Sequence, residues 1–135
     1  MFKNTPTKAP PPDGNFMAPI IFHIQSLYKD IYLAGNSLTK RDKLGVHAAV
    51  EKSCLEMLGL SIQASLENQI GKQKTIKKLR IDIEILKHLI RAESELGIIR
   101  EKQYLSIQEK LQEISKEAAG WDNYTHKNSQ QRELL

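Results

Sequence analysis

Residues 72–91 read KQKTIKKLRIDIEILKHLIR, and their apolar side chains recur at the spacing of an α-helix. One apolar stripe consists of Ile76, Leu79, Ile83, Leu86 and Ile90. A second stripe, on a different side, consists of Ile81, Ile85 and Leu89. The surface helix of a monomer needs only one apolar stripe. The second stripe therefore predicts either deeper burial of this helix or an interface between subunits.

The remaining side of the same helix is basic and carries four cations: Lys77, Arg80, Lys87 and Arg91. Residues 72–91 contain seven basic and two acidic residues, whereas the whole chain has a formal net charge of only +4. The positive charge is thus concentrated in one segment, and we expect that segment to meet an anionic partner.

The composition indicates a single soluble domain. The chain has 135 residues, enough to bury a sizeable core without a covalent staple. Its one cysteine, Cys54, excludes an intrachain disulfide and a cysteine-cluster metal site. No segment has the length and apolarity of a signal peptide or a membrane span, so we expect a cytoplasmic protein without membrane contact.

Apolar periodicity predicts four helices, at about residues 19–37, 43–69, 72–96 and 100–124. Asp42 is predicted to cap the second helix, and Gly71 and Gly97 to separate the later ones. Four helices of this length with short links favour an all-α, antiparallel up-down-up-down four-helix bundle. Residues 1–18 are predicted to form a flexible leader, and residues 125–135 a flexible tail.

The second and fourth helices differ in their apolar patterns. The fourth has one narrow stripe, which consists of Tyr104, Ile107, Leu111, Ile114, Ala118 and Trp121. The second has two arcs. We assign the core to the arc of Leu44, Ala48, Leu55, Leu58, Ile62 and Leu66. The other arc includes Val50 and Met57, which we assign to a subunit interface with Ile81, Ile85 and Leu89.

Catalytic and metal-binding patterns are sparse. The Glu-x-x-His pairs of di-metal bundles do not occur, and the His47/Glu51 and Glu84/His88 pairs favour hydrogen-bonded or solvated side chains over a metal site. The glycines are isolated and form no phosphate-binding loop. The sequence therefore predicts no enzyme, no cofactor, no metal and no small-molecule substrate.

The basic residues favour contact with the phosphate backbone of RNA or DNA, although a simply solvated face stays open as the alternative. The candidate contacts are Lys40, Arg41, Lys43, Lys74, Lys77, Lys78, Arg80, Lys87 and Arg91. The third predicted helix contains no aromatic residue, which argues against base stacking and sequence-specific recognition.

Several segments resemble a known family over Pro19 to Trp121. They are the residues at 19–21, 27–29, 40–42, 44–45, 85–92, 102–105, 111–114 and 120–121, which read PII, LYK, KRD, LG, ILKHLIRA, KQYL, LQEI and GW. Their order and spacing are similar to the small four-helix-bundle family. That family includes the accessory variability determinant (Avd) of diversity-generating retroelements and the proteins encoded in intervening sequences of 23S ribosomal RNA.

The resemblance implies a homopentameric ring of bundles with a positively charged surface. In the retroelement branch it implies a non-catalytic accessory protein that binds the reverse transcriptase and structured RNA and supports mutagenic reverse transcription. In the ribosomal branch it implies a structural or protein-interaction module without a reverse transcriptase partner. The basic positions that the family carries correspond here to Lys40, Arg41, Lys43, Lys87 and Arg91.

Three positions depart from the family pattern. Thr39 replaces a proline before the basic corner, and Ile99 occupies the position expected for a capping residue. Asp122 and Asn123 replace a basic continuation after Trp121, which predicts a weaker positive surface near the C-terminus.

Overall fold

A computed structural model describes the chain over residues 18–134, with side chains described over residues 18–130. The helices are α1 (Pro19–Ala34), α2 (Lys40–Leu44), α3 (Val46–Leu66), α4 (Gln69–Glu95) and α5 (Glu101–Leu134). A 3-10 turn, Gly35–Ser37, follows α1, and residues 18–134 include no strand. The predicted leader lies outside the described residues except for Ala18, which packs against the core.

The four long helices form an antiparallel bundle. Helix α3 packs against α1 and α4, and α5 packs against α4 and α1. Each long helix therefore contacts two neighbours. His47 at the start of α3 bonds to Glu93 at the end of α4, whereas Gln63 near the end of α3 bonds to Thr75 near the start of α4. This pairing requires opposite helix directions. The prediction of an all-α four-helix bundle is confirmed.

Two predicted helix starts were wrong. The side chain of Thr39, rather than that of Asp42, caps α2, and Thr39 Oγ1 accepts a hydrogen bond of 3.2 Å from the amide of Asp42. Gly71 does not separate the second and third predicted helices but lies in the first turn of α4. There its amide donates to Oδ1 of the cap Asn68 at 3.1 Å. Polar side chains that can bond a free amide, rather than glycine alone, decide where these helices begin.

The helix ends gave a mixed outcome. Gly97 ends α4 as predicted, because it adopts a φ of +74° and the amide of Ile98 donates to the carbonyl of Glu93. The predicted second helix is divided at Gly45 into α2 and α3. The predicted tail was wrong, since α5 continues through Leu134 and Thr125 is buried within it.

The predicted stripes of α4 and α5 face the core, which α1 and α3 complete. Ile76, Leu79, Ile83, Leu86 and Ile90 are all buried, as are Ile107, Leu111, Ile114 and Ala118. Tyr104 and Trp121 pack against the same core while remaining partly exposed, and Lys72 Nζ lies 5.9 Å from the Trp121 ring. These two helices therefore have the orientation that their sequences predicted.

Helix α3 is rotated relative to its predicted orientation, and of the predicted core arc only Leu58 and Ile62 pack against the core. Val50 and Met57, assigned to an interface, are completely buried in the core, whereas Leu55 and Leu66 are 47% and 74% exposed. The buried side also contains His47, Ser53, Cys54 and Ser61. The polar atoms of His47, Cys54 and Ser61 find partners inside the bundle, as when Ser61 Oγ donates to the carbonyl of Met57 at 2.9 Å. Hydrophobicity alone therefore misidentified the inward side.

Candidate nucleic-acid interface

The four cations of the basic side of α4 line a groove between α4 and α5. One part of this groove is lined by Lys77, Arg80, Ile81, Glu84, Ser115 and Asp122. The other part is lined by Glu84, Lys87, His88, Arg91, Tyr104, Leu105, Gln108 and Gln112. Glu84 lines both parts, and we call the two together the α4–α5 groove. From Lys77 to Arg91 it follows α4 for about 21 Å at 1.5 Å per residue.

The end of the groove near Lys77 is held together by Asp122. Arg80 Nη1 donates to Asp122 Oδ2 at 2.7 Å, and Lys77 Nζ lies 3.6 Å from Asp122 Oδ1. Asp122 is 5% exposed, and its Oδ1 has no hydrogen-bond partner among the described residues. The carboxylate of Asp122 thus neutralises part of the charge of two candidate contact residues.

The cations at the other end of the groove pair with exposed carboxylates, because the side chains of Glu84 and Glu95 are 57% and 73% exposed. The side chain of Arg91 is 66% exposed, and its Nε lies 3.9 Å from Glu95. Lys87 is 24% exposed and lies 3.1 Å from Glu84. Such exposed ion pairs contribute little to stability and exchange easily for another anion. Within the groove, four cations face two carboxylates, which leaves two positive charges.

Residues of α5 complete the groove, and sequence reasoning did not identify them. Gln108 Nε2 donates weakly to the carbonyl of Lys87 at 3.4 Å, which places the α5 amides directly beside the basic side of α4. Tyr104, near the start of α5, lines the same depression as Arg91, near the end of α4. The antiparallel register and the short link over residues 96–100 could have suggested this meeting, because they place the start of α5 opposite the end of α4.

The remaining candidate contacts lie outside the groove. Lys74 and Lys78 are exposed on α4 but do not line the α4–α5 groove. Lys78 instead faces Asp82, whose pKa is raised by burial and by the charge of Glu56, with Lys78 acting in the opposite direction. The basic corner of Lys40, Arg41 and Lys43 is exposed on α2, at the end of the bundle opposite Lys74.

The second apolar stripe of α4 borders the groove. Ile81 is 61% exposed and Ile85 is 48% exposed, whereas Leu89 is partly buried against the core. Ile81 also lines the groove itself. The predicted interface residues on α4 are therefore at the surface of the single chain, in contrast to those on α3.

His47, His88 and Cys54 have contacts that are typical of structural residues. His88 Nδ1 bonds to the backbone carbonyl of Glu84 at 2.8 Å, and His47 bonds to Glu93 rather than to Glu51, whose Oε2 is 3.9 Å away. Burial raises the pKa of Cys54 to about 12, which opposes formation of a thiolate. Over the described residues, no three metal-ligating side chains cluster, and no helix has the length and apolarity to span a membrane.

Comparison with known proteins identifies the family to which the chain belongs. No curated protein matches the chain. The model of one family, described as bAvd-like, matches residues 20–125, which include most of the bundle, from the first turn of α1 to Thr125 in α5. The match covers both sides of the α4–α5 groove. The chain therefore belongs to the bAvd-like family.

Proposed function

We propose that this protein is a non-catalytic accessory protein of a diversity-generating retroelement that binds RNA in the α4–α5 groove and also binds the reverse transcriptase. Membership of the bAvd-like family supports the accessory role. The observation that carries the RNA-binding part is the alignment of four cations along one groove.

The charge distribution specifies how the RNA is held. Lys87 and Arg91 are the main phosphate contacts, because the carboxylates that pair with them are solvent-exposed and can be replaced by phosphate. Lys77 adds to them, whereas Arg80 is largely engaged by buried Asp122. Contacts of this kind depend on positive charge and not on base identity, so binding is strongly salt-dependent and weakly sequence-dependent.

A salt-titrated RNA-binding measurement tests this proposal. In the single-strand limit, each phosphate contact contributes about 0.7 to the slope of log affinity against log salt concentration. The double variant Lys87→Gln/Arg91→Gln should therefore bind more weakly and lose about 1.4 from the slope. The matched control is Lys29→Gln/Lys52→Gln, which removes the same charge from exposed positions on α1 and α3. Equal losses in both variants would refute a role for the groove.

The reverse transcriptase partner requires a separate test. A gene for a reverse transcriptase and a template repeat beside the gene for this chain would support the retroelement assignment, and the two proteins should then copurify when expressed together. The exposed apolar residues of α4 are also compatible with the alternative, a structural or protein-interaction bundle of the 23S ribosomal RNA intervening-sequence type. Absence of a reverse transcriptase gene from the neighbourhood would favour that alternative.

Self-association is part of the proposal. Ile81 and Ile85 form an exposed apolar surface on α4, and Leu55 and Leu66 form another on α3. A closed ring needs two different surfaces that fit each other, because each copy contacts its two neighbours in different ways. We assign the α4 surface to one half of that interface and the α3 surface to the other half. The number five comes from the resemblance to the family.

A further inference from the structure

We propose that the α4–α5 groove contains a base-binding site, in which an unpaired RNA base stacks on Tyr104 while the adjoining phosphates contact Lys87 and Arg91. This inference rests on the proposed RNA-binding function and adds that the bound RNA presents an unpaired base. It goes beyond charge alone, because phosphate contacts along a basic helix need no aromatic residue and no base.

The site has the volume of a small-ligand pocket and a mostly polar and charged lining. It is an open depression of about 390 Å³ between the end of α4 and the start of α5. This volume lies within the usual range of about 300 to 1,000 Å³ for ligand pockets. Tyr104 is half-buried and packs against the core, so its ring is held in place rather than free to rotate away.

Each class of side chain in the site matches one part of a nucleotide. The Tyr104 ring supplies a flat surface on which any base can stack. Gln108 and Gln112 can donate and accept hydrogen bonds at base edges. Gln108 is committed only by its 3.4 Å bond to Lys87, and Gln112 has no side-chain hydrogen bond among the described residues.

The cations lie where the phosphates of the same nucleotides would be. Lys87 and Arg91 line the depression together with Tyr104. Their present partners, Glu84 and Glu95, are 57% and 73% exposed and can be replaced by phosphate. A base and its flanking phosphates can therefore be held at one place by two adjacent helices.

The geometry favours an unpaired base over a duplex. Bases in an RNA duplex are stacked on one another, and the major groove is too deep and narrow for side chains to read. A tyrosine recessed between two helices can stack only on a base that has left its neighbours. The site therefore selects single-stranded or looped RNA.

The experiment measures binding of a labelled single-stranded RNA by fluorescence anisotropy over a range of salt concentrations. Loss of base stacking should weaken binding about 5- to 140-fold. We expect this loss for Tyr104→Leu, with the salt slope unchanged because no cation is removed. Tyr104→Phe retains the ring and should bind as the unmodified protein does. The control Tyr32→Leu removes an exposed tyrosine from α1, outside the groove, and should have no effect.

A second arm changes the RNA instead of the protein, so it does not depend on the folding of any variant. RNA with abasic sites keeps its phosphates and should bind the unmodified protein more weakly than intact RNA, by a similar factor. The same abasic RNA should cause no further loss in Tyr104→Leu, since the stacking partner is already absent.

The outcomes separate this inference from the proposed function. Salt-dependent binding that is equal for intact and abasic RNA would overturn the base-binding site and leave the phosphate-binding groove intact. Equal affinity for duplex RNA, unaffected by Tyr104→Leu, would do the same. No salt-dependent binding to any RNA by the unmodified protein would overturn the proposed RNA-binding function itself.

Discussion

Replacing Glu93 with Gln should remove a pH dependence of stability that is built into the end of the bundle. Glu93 and His47 are 0% and 1% exposed, and Glu93 Oε2 lies 2.7 Å from His47 Nδ1. The other ring nitrogen, Nε2, lies 2.8 Å from the carbonyl oxygen of Ile31, which can only accept. A doubly protonated His47 can therefore donate from both ring nitrogens, to Glu93 of α4 and to the carbonyl of Ile31 of α1. The protonated imidazole thus links α3 to both of these helices.

The direction of the effect follows from the pKa of His47. Burial alone would lower this pKa, but the hydrogen bonds with Glu93 and Ile31 and the charges of Glu93 and Glu51 outweigh burial and raise it above 6.5. The folded protein thus holds a proton that the unfolded chain releases. The stabilisation by the His47 proton is complete below 6.5, the pKa of His47 in the unfolded chain. It is lost as the pH rises through the higher pKa of His47 in the folded protein. Because only one proton is involved, the free energy of unfolding can decline by at most about 1.4 kcal/mol per pH unit.

Glu93→Gln removes the charge of Glu93 and its charge-assisted hydrogen bond, both of which raise the pKa of His47, while burial continues to lower this pKa. An amide can donate to Nδ1 of a neutral imidazole, so the variant can still satisfy the ring. Relative to the variant, the unmodified protein should therefore lose free energy of unfolding as the pH rises from about 6.5. The relative change should not exceed about 1.4 kcal/mol per pH unit.

Urea denaturation followed by far-ultraviolet circular dichroism measures this difference at fixed protein concentration. The range from about pH 6 to about pH 9 is suitable because exposed carboxylates are ionised throughout it. Glu95→Gln, a change at a 73% exposed position on the same helix, is the matched control and should parallel the unmodified protein. If Glu93→Gln also runs parallel to the unmodified protein, the raised pKa of His47 is not caused by Glu93 and the reasoning fails.

Three further changes have defined outcomes. Asp122→Asn should release Arg80 and steepen the salt slope of RNA binding by about 0.7; an unchanged slope in the same titration would show that Arg80 does not reach phosphate. Gly97→Ala places a Cβ at a φ of +74° and should lower the free energy of unfolding by about 1 kcal/mol in urea denaturation, and no loss would contradict the Schellman-type end of α4. Ile85→Glu should dissociate the proposed assembly, as measured by multi-angle light scattering. The control Phe22→Glu, at a 60% exposed position on α1, should leave the mass of the assembly unchanged. If the unmodified protein is a monomer, the proposed interface is refuted.

The helices whose orientation could be predicted are those in which leucine and isoleucine fill most of the inward side, although Glu93 of α4 and Asp122 of α5 are also buried. In α4 and α5, leucine and isoleucine at helical spacing leave one side that water disfavours, so the stripe and the core coincide. In α3, the inward side carries His47 and Ser61 instead. Their burial depends on partners in other segments, such as Glu93 and the carbonyl of Ile31, and the sequence of α3 alone does not contain that information.

The candidate site divides in the same way. The basic side of α4 is a property of one helix, so it could be predicted from residue spacing. The contributions of Tyr104 and Asp122 depend on the register between α4 and α5, since Asp122 meets Arg80 across 42 positions of sequence. The absence of aromatic residues from α4 argues against base stacking on that helix alone, but Tyr104 of α5 lines the same groove. Within the fold, the aromatic residue belongs to the neighbouring helix.

The position of Ile81 links the two proposed roles of α4. Ile81 lines the α4–α5 groove and also belongs to the exposed apolar stripe, whereas Ile85 does not line the groove. Assembly through this stripe would therefore place the edge of each groove beside a neighbouring copy. Several grooves on one assembly can engage the same RNA, which increases avidity without any new contact in a single groove. Ile85→Glu is consequently the variant that separates assembly from groove chemistry: loss of avidity with an unchanged salt slope per chain would assign the effect to assembly alone.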